Sequence, residues 1–413
     1  MPEIMSEMQL FPPRHPIQGD IHLPGSKSES NRVLILQALS GGLVQIEGLS
    51  AAHDTQTLAR LLRENPETMD VGHAGTAMRF LAAYLAFGPE DKLLTGSERM
   101  QARPIGPLVA ALRKMGADIH CLGDEGYPPL LIFGRNAKFG ASTVELPGNI
   151  SSQFISALLL IAATQPDGLR LRIVGEVLSR PYISMTLELL SRFGISHTWE
   201  GDTIAIARQP LRAGIYAVEA DWSAASYWFC IAALSPGCQI RLHGLRISSL
   251  QGDSVVAAKM AAFGVQAIWQ GDVLHLTKVG KLESPIHWEF EDCPDLAQGM
   301  IVAAAALGVK ASFSGLQSLR IKETDRIAAL QAELLKFGVE LKEDAGKWWL
   351  QGQFSKPAPS IATYQDHRMA MAFAPLALVA PGIVILDPNV VAKSYPHFWQ
   401  DLSRVGFVCN EGE

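Results

Sequence analysis

Six long apolar stretches rich in Ala and Leu recur along the chain, and a short polar segment precedes each of them. The six polar segments are residues 28–32, 75–79, 151–153, 221–223, 295–298 and 366–368. Ser, Thr and Asp side chains accept hydrogen bonds from the free N–H groups of a helix's first turn, and apolar residues on nearly every later face imply burial. The pattern therefore predicts six buried helices, each with a polar N-terminus.

A second helix and a β-hairpin follow most of these buried helices. The second helix is amphipathic and ends in an aromatic residue or Met beside Gly, which suits a left-handed C-cap. Such endings occur at residues 112–116, 190–194, 260–264, 335–338 and 404–407. Turns of the Gly-Asp or Asp-Ala-Gly type then predict hairpins over residues 195–206, 265–276 and 339–350. The predicted unit is strand, buried helix, strand, amphipathic helix, hairpin.

The spacing of the buried helices shows how regular the repeat is. The helix starts used as markers are Ser28, Thr76, Ser152, Ser223, Asp295 and Asp366, and they are 48, 76, 71, 72 and 71 residues apart. In the short first unit, a helix predicted over residues 54–63 runs directly into Pro66, so we expect this unit to lack its hairpin. A solenoid would also explain such a period, but the charged helix starts argue against it.

Cations lie at corresponding places in the repeat. They are Lys27, Arg32, Arg79, Arg103, Arg326, Arg368 and Lys393, with Arg103 expected to open a helix beside Pro104. A helix N-terminus already favours an anion, and a guanidinium adds bidentate hydrogen bonds to carboxylate or phosphate. Any one of these side chains can instead be a solvated residue or an ion-pair partner. Their repetition predicts a small, heavily anionic ligand.

Composition narrows the class of protein. The chain has 413 residues, 48% hydrophobic and 18% charged, with a net charge of −6, which suits a globular enzyme with at least two cores and not a nucleic-acid binder. The five cysteines contain no C-x-x-C pair, so we expect neither a disulfide framework nor a zinc site, as in a reducing cytoplasm. Pro375 and Pro381 break the uncharged stretch 369–386, and residues 1–4 do not resemble a signal peptide, so we expect no membrane association.

Four motifs together resemble those of the 5-enolpyruvylshikimate-3-phosphate (EPSP) synthase family. They are LPGSKSESNR at 23–32, HAGTAMR at 73–79, RIKETDR at 320–326 and DHRMAM at 366–371, and the resemblance extends in order from Leu23 to Lys393. It implies an α/β (α+β) fold, a two-domain inside-out barrel of six βαβαββ repeats with three per domain. We predict one domain from residues 1–22 and 219–413 and another from 23–218, with the active site in the cleft between them.

The resemblance also implies a reaction, the transfer of the enolpyruvyl group of phosphoenolpyruvate to the 5-hydroxyl of shikimate 3-phosphate. Addition and then elimination release phosphate, which requires groups that move protons and cations that hold the anionic substrates. The family needs no cofactor and no metal. We therefore expect these two small molecules as partners, with no nucleic acid and no membrane, and a monomeric protein in the cytoplasm.

Matching the motifs residue by residue gives the expected site. Shikimate 3-phosphate would contact Lys27, Ser28, Arg32, Ser151, Ser152, Gln153, Ser179, Tyr182, Asp295, Ser318 and Lys322. Phosphoenolpyruvate would contact Lys27, Gly75, Arg79, Arg103, Gln153, Arg326, Arg368 and Lys393.

Three residues are the expected catalytic groups. Asp295 matches the general base for the hydroxyl, and Glu323 matches the residue that exchanges a proton with the methylene. Lys27 would also move protons, since neighbouring cations favour its neutral form. From the residues alone, Asp295 could instead cap a helix, and Glu323 could pair with Lys322 or Arg326.

The chain departs from the family pattern at His73, Phe80 and Ser318, where Asn, Pro and Asn are usual. We interpret His73 as a turn residue and not as a general acid.

The related enzyme that uses UDP-N-acetylglucosamine as acceptor is the main alternative function, but its reactive loop cysteine has no counterpart in residues 99–107. A phosphate-binding kinase is suggested by residues 25–28, which lack the P-loop spacing. A non-enzymatic scaffold is the third alternative.

Overall fold

The computed structural model describes residues 6–138, 140–355, 357 and 359–412. Residues 1–4, on which the expectation of no signal peptide depends, lie outside this set. The α-helices are α1 (Lys27–Leu39), α2 (His53–Glu64), α3 (Gly75–Leu85), α4 (Glu98–Gln101), α5 (Gly106–Lys114), α6 (Ser152–Ala162), α7 (Arg180–Arg192), α8 (Trp222–Leu234), α9 (Val256–Lys259), α10 (Ala297–Ala306), α11 (Arg326–Leu335), α12 (His367–Phe373) and α13 (Phe398–Arg404).

The strands are β1 (Glu7–Phe11), β2 (Ile17–His22), β3 (Val44–Glu47), β4 (Thr68–Asp70), β5 (Asp91–Thr95), β6 (Ile119–Cys121), β7 (Leu130–Phe133), β8 (Thr143–Pro147), β9 (Leu169–Val174), β10 (Thr198–Glu200), β11 (Thr203–Ile206), β12 (Gly214–Ala217), β13 (Cys238–His243), β14 (Val265–Gln270), β15 (Val273–Lys278), β16 (Ile286–Glu289), β17 (Ala311–Ser314), β18 (Val339–Asp344), β19 (Lys347–Gly352), β20 (Ser360–Ile361), β21 (Ile383–Leu386) and β22 (Val408–Glu411).

Contacts divide the chain into two compact units. The central unit is Gly25–Val218, and the terminal unit combines Met1–Pro24 with Glu219–Glu413. In the described part of the chain each unit contains three small sheets.

The central unit contains one incomplete sheet. Its four-stranded sheets have the orders β4-β5-β7-β6 and β10-β11-β9-β8, each with one hairpin, whereas β3 pairs only with β12, in parallel. The predicted loss of the hairpin from the first unit is confirmed. The hairpins predicted over residues 195–206, 265–276 and 339–350 are also confirmed, as β10–β11, β14–β15 and β18–β19.

The terminal unit completes its sheets with strands from distant parts of the chain. Its sheet orders are β14-β15-β13-β2, β16-β17-β19-β18 and β20-β21-β1-β22. In the last sheet β1 lies between β21 and β22, antiparallel to both, so the first and last described strands together replace a hairpin. Likewise β2 precedes the central unit in the chain and pairs with β13, which follows the central unit.

The buried helices explain why so much Ala and Leu is needed. Every residue of α8 is buried except Ser223, every residue of α6 except Gln153, and all seven residues of α12 are buried. A helix that is apolar on all sides must have protein on all sides. These helices therefore lie inside their units and are least covered at their first turns.

Three details differ from the sequence prediction. Helix α1 begins earlier than its marker, with Ser26 as N-cap. Asp295 lies inside a 3₁₀ turn, Pro294–Leu296, that precedes α10, and it does not cap that helix. The second helix of the unit after β13 is three short pieces, Gly252–Val255, α9 and Met260–Phe263, and only the middle one is α-helical. The adjacent β-branched Val255 and Val256 disfavour a continuous α-helix there.

The described residues contain no helix that is both long and apolar enough to span a membrane. The five cysteines carry free thiols.

Strand β1 provides a test of the terminal sheet. Leu10 is fully buried in β1 and faces the core, whereas its neighbour Gln9 points to the exposed side. We expect Leu10→Ala to lower the free energy of unfolding by about 2–5 kcal/mol, because the substitution leaves a cavity in the core beneath an interior strand of the sheet. Gln9→Ala should cost less than about 1 kcal/mol. Urea denaturation measures both, and equal effects would contradict the placement of β1.

Candidate active site

The predicted site residues form two groups, one in each unit. The central-unit group contains Lys27, Ser28, Arg32, Gly75, Arg79, Arg103, Ser151, Ser152, Gln153, Ser179 and Tyr182, and the terminal-unit group contains Asp295, Ser318, Lys322, Glu323, Arg326, Arg368 and Lys393. Most of them lie in or beside the first turns of helices, where the backbone N–H groups favour anions.

Arg32 is buried in the central-unit group and bonds to three helices. Its Nε donates to Thr186 Oγ1 at 2.7 Å, its Nη2 to Ser156 Oγ at 3.1 Å and to the Tyr182 carbonyl at 3.2 Å, and its Nη1 to the Ser28 carbonyl at 2.8 Å. Burial lowers the pKa of Arg32 to about 10. The structure therefore brings Ser28, Arg32 and Tyr182 together, and Arg32 also fixes α1 against α6 and α7.

Gly75, Arg79 and Arg103 form a second cluster in the central unit. A Cβ on Gly75 would lie 2.7 Å from Arg103 Nη1, so any side chain at this position would displace the guanidinium from the start of α3. Arg79 Nη1 donates to the Gly75 carbonyl at 3.1 Å, and its Nη2 donates to the Pro104 carbonyl at 3.1 Å. Arg103 lies in the turn between α4 and α5, because α5 begins only at Gly106, so the prediction that it opens a helix is wrong.

Lys27 lies beside a carboxylate. Its Nζ is 3.4 Å from Asp54 Oδ2, and Asp54 is a buried residue of α2. This contact of Lys27 is with an anion, whereas the sequence analysis expected neighbouring cations.

The starts of α6 and α7 carry the remaining residues of the central-unit group. Ser151 caps α6 by accepting from the Gln153 amide at 3.3 Å, and Gln153 Nε2 donates to Thr76 Oγ1 of α3 at 3.2 Å. Ser152 follows the cap and is buried. Ser179 is the N-cap residue of α7 and has a left-handed backbone with φ of 54°.

Arg326 is the centre of the terminal-unit group. Its side chain is only 2% exposed, and it forms ion pairs with Asp366 at 2.7 Å, Glu323 at 2.9 Å and Asp295 at 3.1 Å. Burial alone would lower the pKa of Arg326, but these three carboxylates outweigh it and raise the pKa above its ordinary value. The guanidinium therefore keeps its charge and holds three acidic side chains together.

Arg368 contacts the same cluster from the start of α12. Its Nη2 is 2.8 Å from Asp295 Oδ2 and donates to Ser223 Oγ at 3.4 Å, and its Nη1 donates to Tyr227 Oη at 3.3 Å. The Asp366 carboxylate accepts from the Arg368 amide at 2.9 Å and so also caps α12. One acidic side chain thus fixes both arginines.

Glu323 connects the cluster to Lys393. Its two carboxylate oxygens are 2.9 Å from Arg326 Nη2 and 3.2 Å from Lys393 Nζ. The ion pair between Glu323 and Arg326, which the sequence analysis named as an alternative to a catalytic role, is therefore present. Glu323 still lies among the other residues of the terminal-unit group. Ser318 and Lys322 lie just before Glu323, in and directly after the 3₁₀ turn Gln317–Ile321.

Asp295 has an unusual electrostatic environment. Burial by itself would raise the pKa of Asp295, but the positive charges of Arg368, Lys322 and Arg326 outweigh burial and hold the pKa well below its ordinary value. The carboxylate is therefore ionised at neutral pH, and the stability that it contributes is lost only as the pH falls below about 4.

Several residues of these clusters were not predicted from the sequence. They are Asp54, Asp366 as an ion-pair partner, Ser223, Tyr227 and Asp253. The repeat gave a signal for two of them, since Ser223 and Asp366 were markers of helix starts. No pattern links Asp253 to Ser223, because they are thirty residues apart in different elements.

Two further observations concern His73 and metal-ligating side chains. His73 Nδ1 lies 3.0 Å from Ser97 Oγ, which fits a residue that joins two turns. Among the described residues, no group of three or more His, Cys, Asp or Glu side chains is placed to hold a metal ion.

Comparison with known proteins decides the family. The family model for EPSP synthase (3-phosphoshikimate 1-carboxyvinyltransferase) matches residues 12–66 and 64–402. The chain belongs to the EPSP synthase family. A 3-phosphoshikimate 1-carboxyvinyltransferase of Bacteroides fragilis is 49% identical over 401 residues, which cover 96% of this chain and 97% of that protein. A 3-phosphoshikimate 1-carboxyvinyltransferase of Vibrio campbellii is 35% identical over 427 residues, which cover 95% of this chain and 98% of that protein.

A solved structure of an EPSP synthase from Acinetobacter baumannii has the same fold. It is similar with a TM-score of 0.78 at 22% identity, over 99% of this chain and all of that one. The predicted fold class, with six repeated units, is confirmed. The four motifs used for the resemblance therefore identified the family correctly.

Arg326 gives a direct test of the acidic cluster. We expect Arg326→Leu to lower the free energy of unfolding by about 3–5 kcal/mol, because three carboxylates then lie close together without their shared cation. Adding Asp366→Asn to that variant should restore part of the loss, since it removes one of the uncompensated charges. Chemical denaturation at pH 7 measures both variants. If the double variant is no more stable than the single one, the ion pairs do not stabilise the unit.

Proposed function

We propose that the protein transfers the enolpyruvyl group of phosphoenolpyruvate to the 5-hydroxyl of shikimate 3-phosphate and releases phosphate. The observation that carries this proposal is membership of the EPSP synthase family over nearly the whole chain. The relatives' names state the activity, and the two groups of residues supply charges that suit its substrates. A monomer in the cytoplasm belongs to the same proposal.

The central-unit group has the chemistry to hold shikimate 3-phosphate. Ser151 and Ser152 place hydroxyl groups at the start of α6, where free N–H groups attract a phosphate. Ser28 and Tyr182 lie beside Arg32, which keeps a positive potential in that region. In the proposal Lys27, Ser179 and Gln153 complete the contacts of this substrate, as the family motif implies.

Each group contains cations that the family motifs assign to phosphoenolpyruvate. Arg79 and Arg103 cover Gly75 at the start of α3, and Arg326, Arg368 and Lys393 surround the acidic cluster. An anion that approaches Arg326, Arg368 or Lys393 competes with the carboxylates now bound to these cations. Ligand binding in this proposal therefore rearranges ion pairs and does not fill a site of uncompensated charge.

In this proposal the competition changes the proton affinity of Asp295, which is the proposed general base. With Arg326 and Arg368 bound to it, Asp295 has a low proton affinity. When phosphoenolpyruvate draws those guanidinium N–H groups toward itself, the remaining burial raises the proton affinity of Asp295. The carboxylate then becomes able to take the proton of the 5-hydroxyl, and Glu323, between Arg326 and Lys393, is the proposed group that exchanges a proton with the methylene.

The overall reaction is tested by phosphate release. We expect purified protein to release phosphate from phosphoenolpyruvate when shikimate 3-phosphate is the acceptor and not when UDP-N-acetylglucosamine replaces it. A phosphate assay with each acceptor alone and with phosphoenolpyruvate alone provides the controls. Release only with the sugar nucleotide would show that the acceptor is wrong, and release with neither would favour a scaffold.

The proton-transfer roles are tested by isosteric amides. We expect Asp295→Asn and Glu323→Gln to lower kcat by roughly 100-fold or more while shikimate 3-phosphate still raises the melting temperature, because each amide loses the proton acceptor but keeps the size of the side chain and its ability to hydrogen-bond the substrate. Glu340→Gln, at an exposed position of β18, is the matched control and should keep kcat within about twofold. A kcat near that of the control in either variant would remove that residue from the mechanism.

A further inference from the structure

Asp253 is a buried carboxyl group beside the terminal-unit group, and the mechanism above does not use it. It lies in the 3₁₀ turn Gly252–Val255 and is 3% exposed. Its Oδ2 accepts a short hydrogen bond from Ser223 Oγ, whereas its Oδ1 is buried with no hydrogen-bond partner among the described residues. An ionised carboxylate with one unsatisfied oxygen is costly to bury.

Ser223 joins this carboxyl to Arg368. Its Oγ lies 3.4 Å from Arg368 Nη2 and also hydrogen-bonds Asp253. Among the residues of α8, all of which are described, Ser223 alone is not buried. The hydroxyl is therefore placed between a buried acid and a cation of the proposed phosphoenolpyruvate site.

Charged and polar groups lie around Asp253 in three segments of the terminal unit. Asp221 and Ser223 face it from the start of α8, Asp295 and Cys293 from the segment before α10, and Arg368 from α12. Burial, followed by the negative charge of Asp295, raises the pKa of Asp253 to about 7, although Arg368 and the Ser223 hydrogen bond act in the opposite direction.

We propose that Asp253 is a positioning residue that acts on Arg368 through Ser223 and takes up a proton from solvent when phosphoenolpyruvate binds. This inference rests on the proposed function. Ionised Asp253 accepts the Ser223 proton and competes with an anionic ligand for the field of Arg368. Protonated Asp253 instead donates its own proton to Ser223 Oγ, which leaves the Ser223 hydroxyl proton free to be donated to the ligand.

The size of the effect follows from the separation of the charges. Asp253 and Arg368 both hydrogen-bond Ser223 Oγ, so only one hydroxyl group separates the carboxylate from the cation. At such a separation a unit negative charge weakens the binding of an anion by about tenfold or more in a partly buried site. Affinity for phosphoenolpyruvate should therefore fall as the pH rises through the range in which Asp253 loses its proton.

The test compares wild-type protein with Asp253→Asn, which is uncharged at every pH and can donate its amide proton to Ser223. The rise in melting temperature caused by phosphoenolpyruvate is measured from pH 6 to pH 8.5. We expect the wild-type rise to shrink over this range by more than that of Asp253→Asn, since the titration of the ligand itself is common to both. Where turnover is measured, the KM for phosphoenolpyruvate of Asp253→Asn should be about tenfold below that of the wild type at pH 8.5, with kcat changed much less.

Two variants separate positioning from a general effect of a buried acid. Asp401→Asn neutralises another buried carboxylate of the terminal unit, one that pairs with Tyr395 and Arg404, and it should keep the wild-type pH dependence. Ser223→Ala keeps the charge of Asp253 but removes the bridging hydroxyl, so the KM should rise at pH 6, where the hydroxyl is free to bind the ligand.

Each outcome decides the proposal. If Asp253→Asn shows the wild-type pH dependence, or if Asp401→Asn loses it as well, Asp253 has no positioning role, and phosphate release can still establish the reaction. If wild-type protein shows no transfer but its ligand-induced stabilisation differs from that of Asp253→Asn as described, the proposed function fails and the proton uptake stands. If phosphoenolpyruvate stabilises neither protein at any pH, the inference is overturned.

Discussion

The buried guanidinium of Arg326 and its three carboxylates organise the terminal unit. Desolvating a guanidinium without partners would be prohibitively costly, so Asp366, Glu323 and Asp295 must all reach it. Each acid comes from a different segment: Asp366 caps α12, Glu323 lies just before α11, and Asp295 lies in the turn before α10. One charge therefore fixes the relative positions of three helix starts, and through Asp366 it also positions Arg368.

Interleaved charges also explain how so many cations are placed close together. Arg326, Arg368 and Lys393 would repel one another if they faced an uncompensated pocket. Asp295 lies between the two arginines, and Glu323 lies between Arg326 and Lys393. The protein thus holds these three cations in ion pairs. In the proposed function an anionic substrate exchanges with the internal carboxylates. Binding strength in such a site depends on the difference between two sets of ion pairs.

The repeat was predictable because each unit carries its own local signals. Polar helix starts, left-handed glycines and hairpin turns are short-range patterns, and they predict the six buried helices and the missing first hairpin correctly. The ion pairs were not predictable in the same way, since a carboxylate such as Asp54 or Asp253 acquires its partner only through tertiary packing. Arg103 shows the same limit, because Pro104 favoured a helix start while the chain forms a turn until Gly106. The central-unit contacts of Arg32 were likewise invisible, as Thr186 and Ser156 carry no motif.

The position of β1 has a consequence for the order in which the chain acquires its structure. A ribosome releases residues 25–218 as one continuous segment, so the central unit can fold while much of the chain is still being made. The sheet that contains β1 has no such option, because β1 precedes the central unit in the chain and pairs with β22, which follows it. This sheet can close only after β22 has been synthesised, and its closure involves contacts of very large sequence separation. Until then β1 has an unpaired edge, which is open to pairing with a strand of another chain.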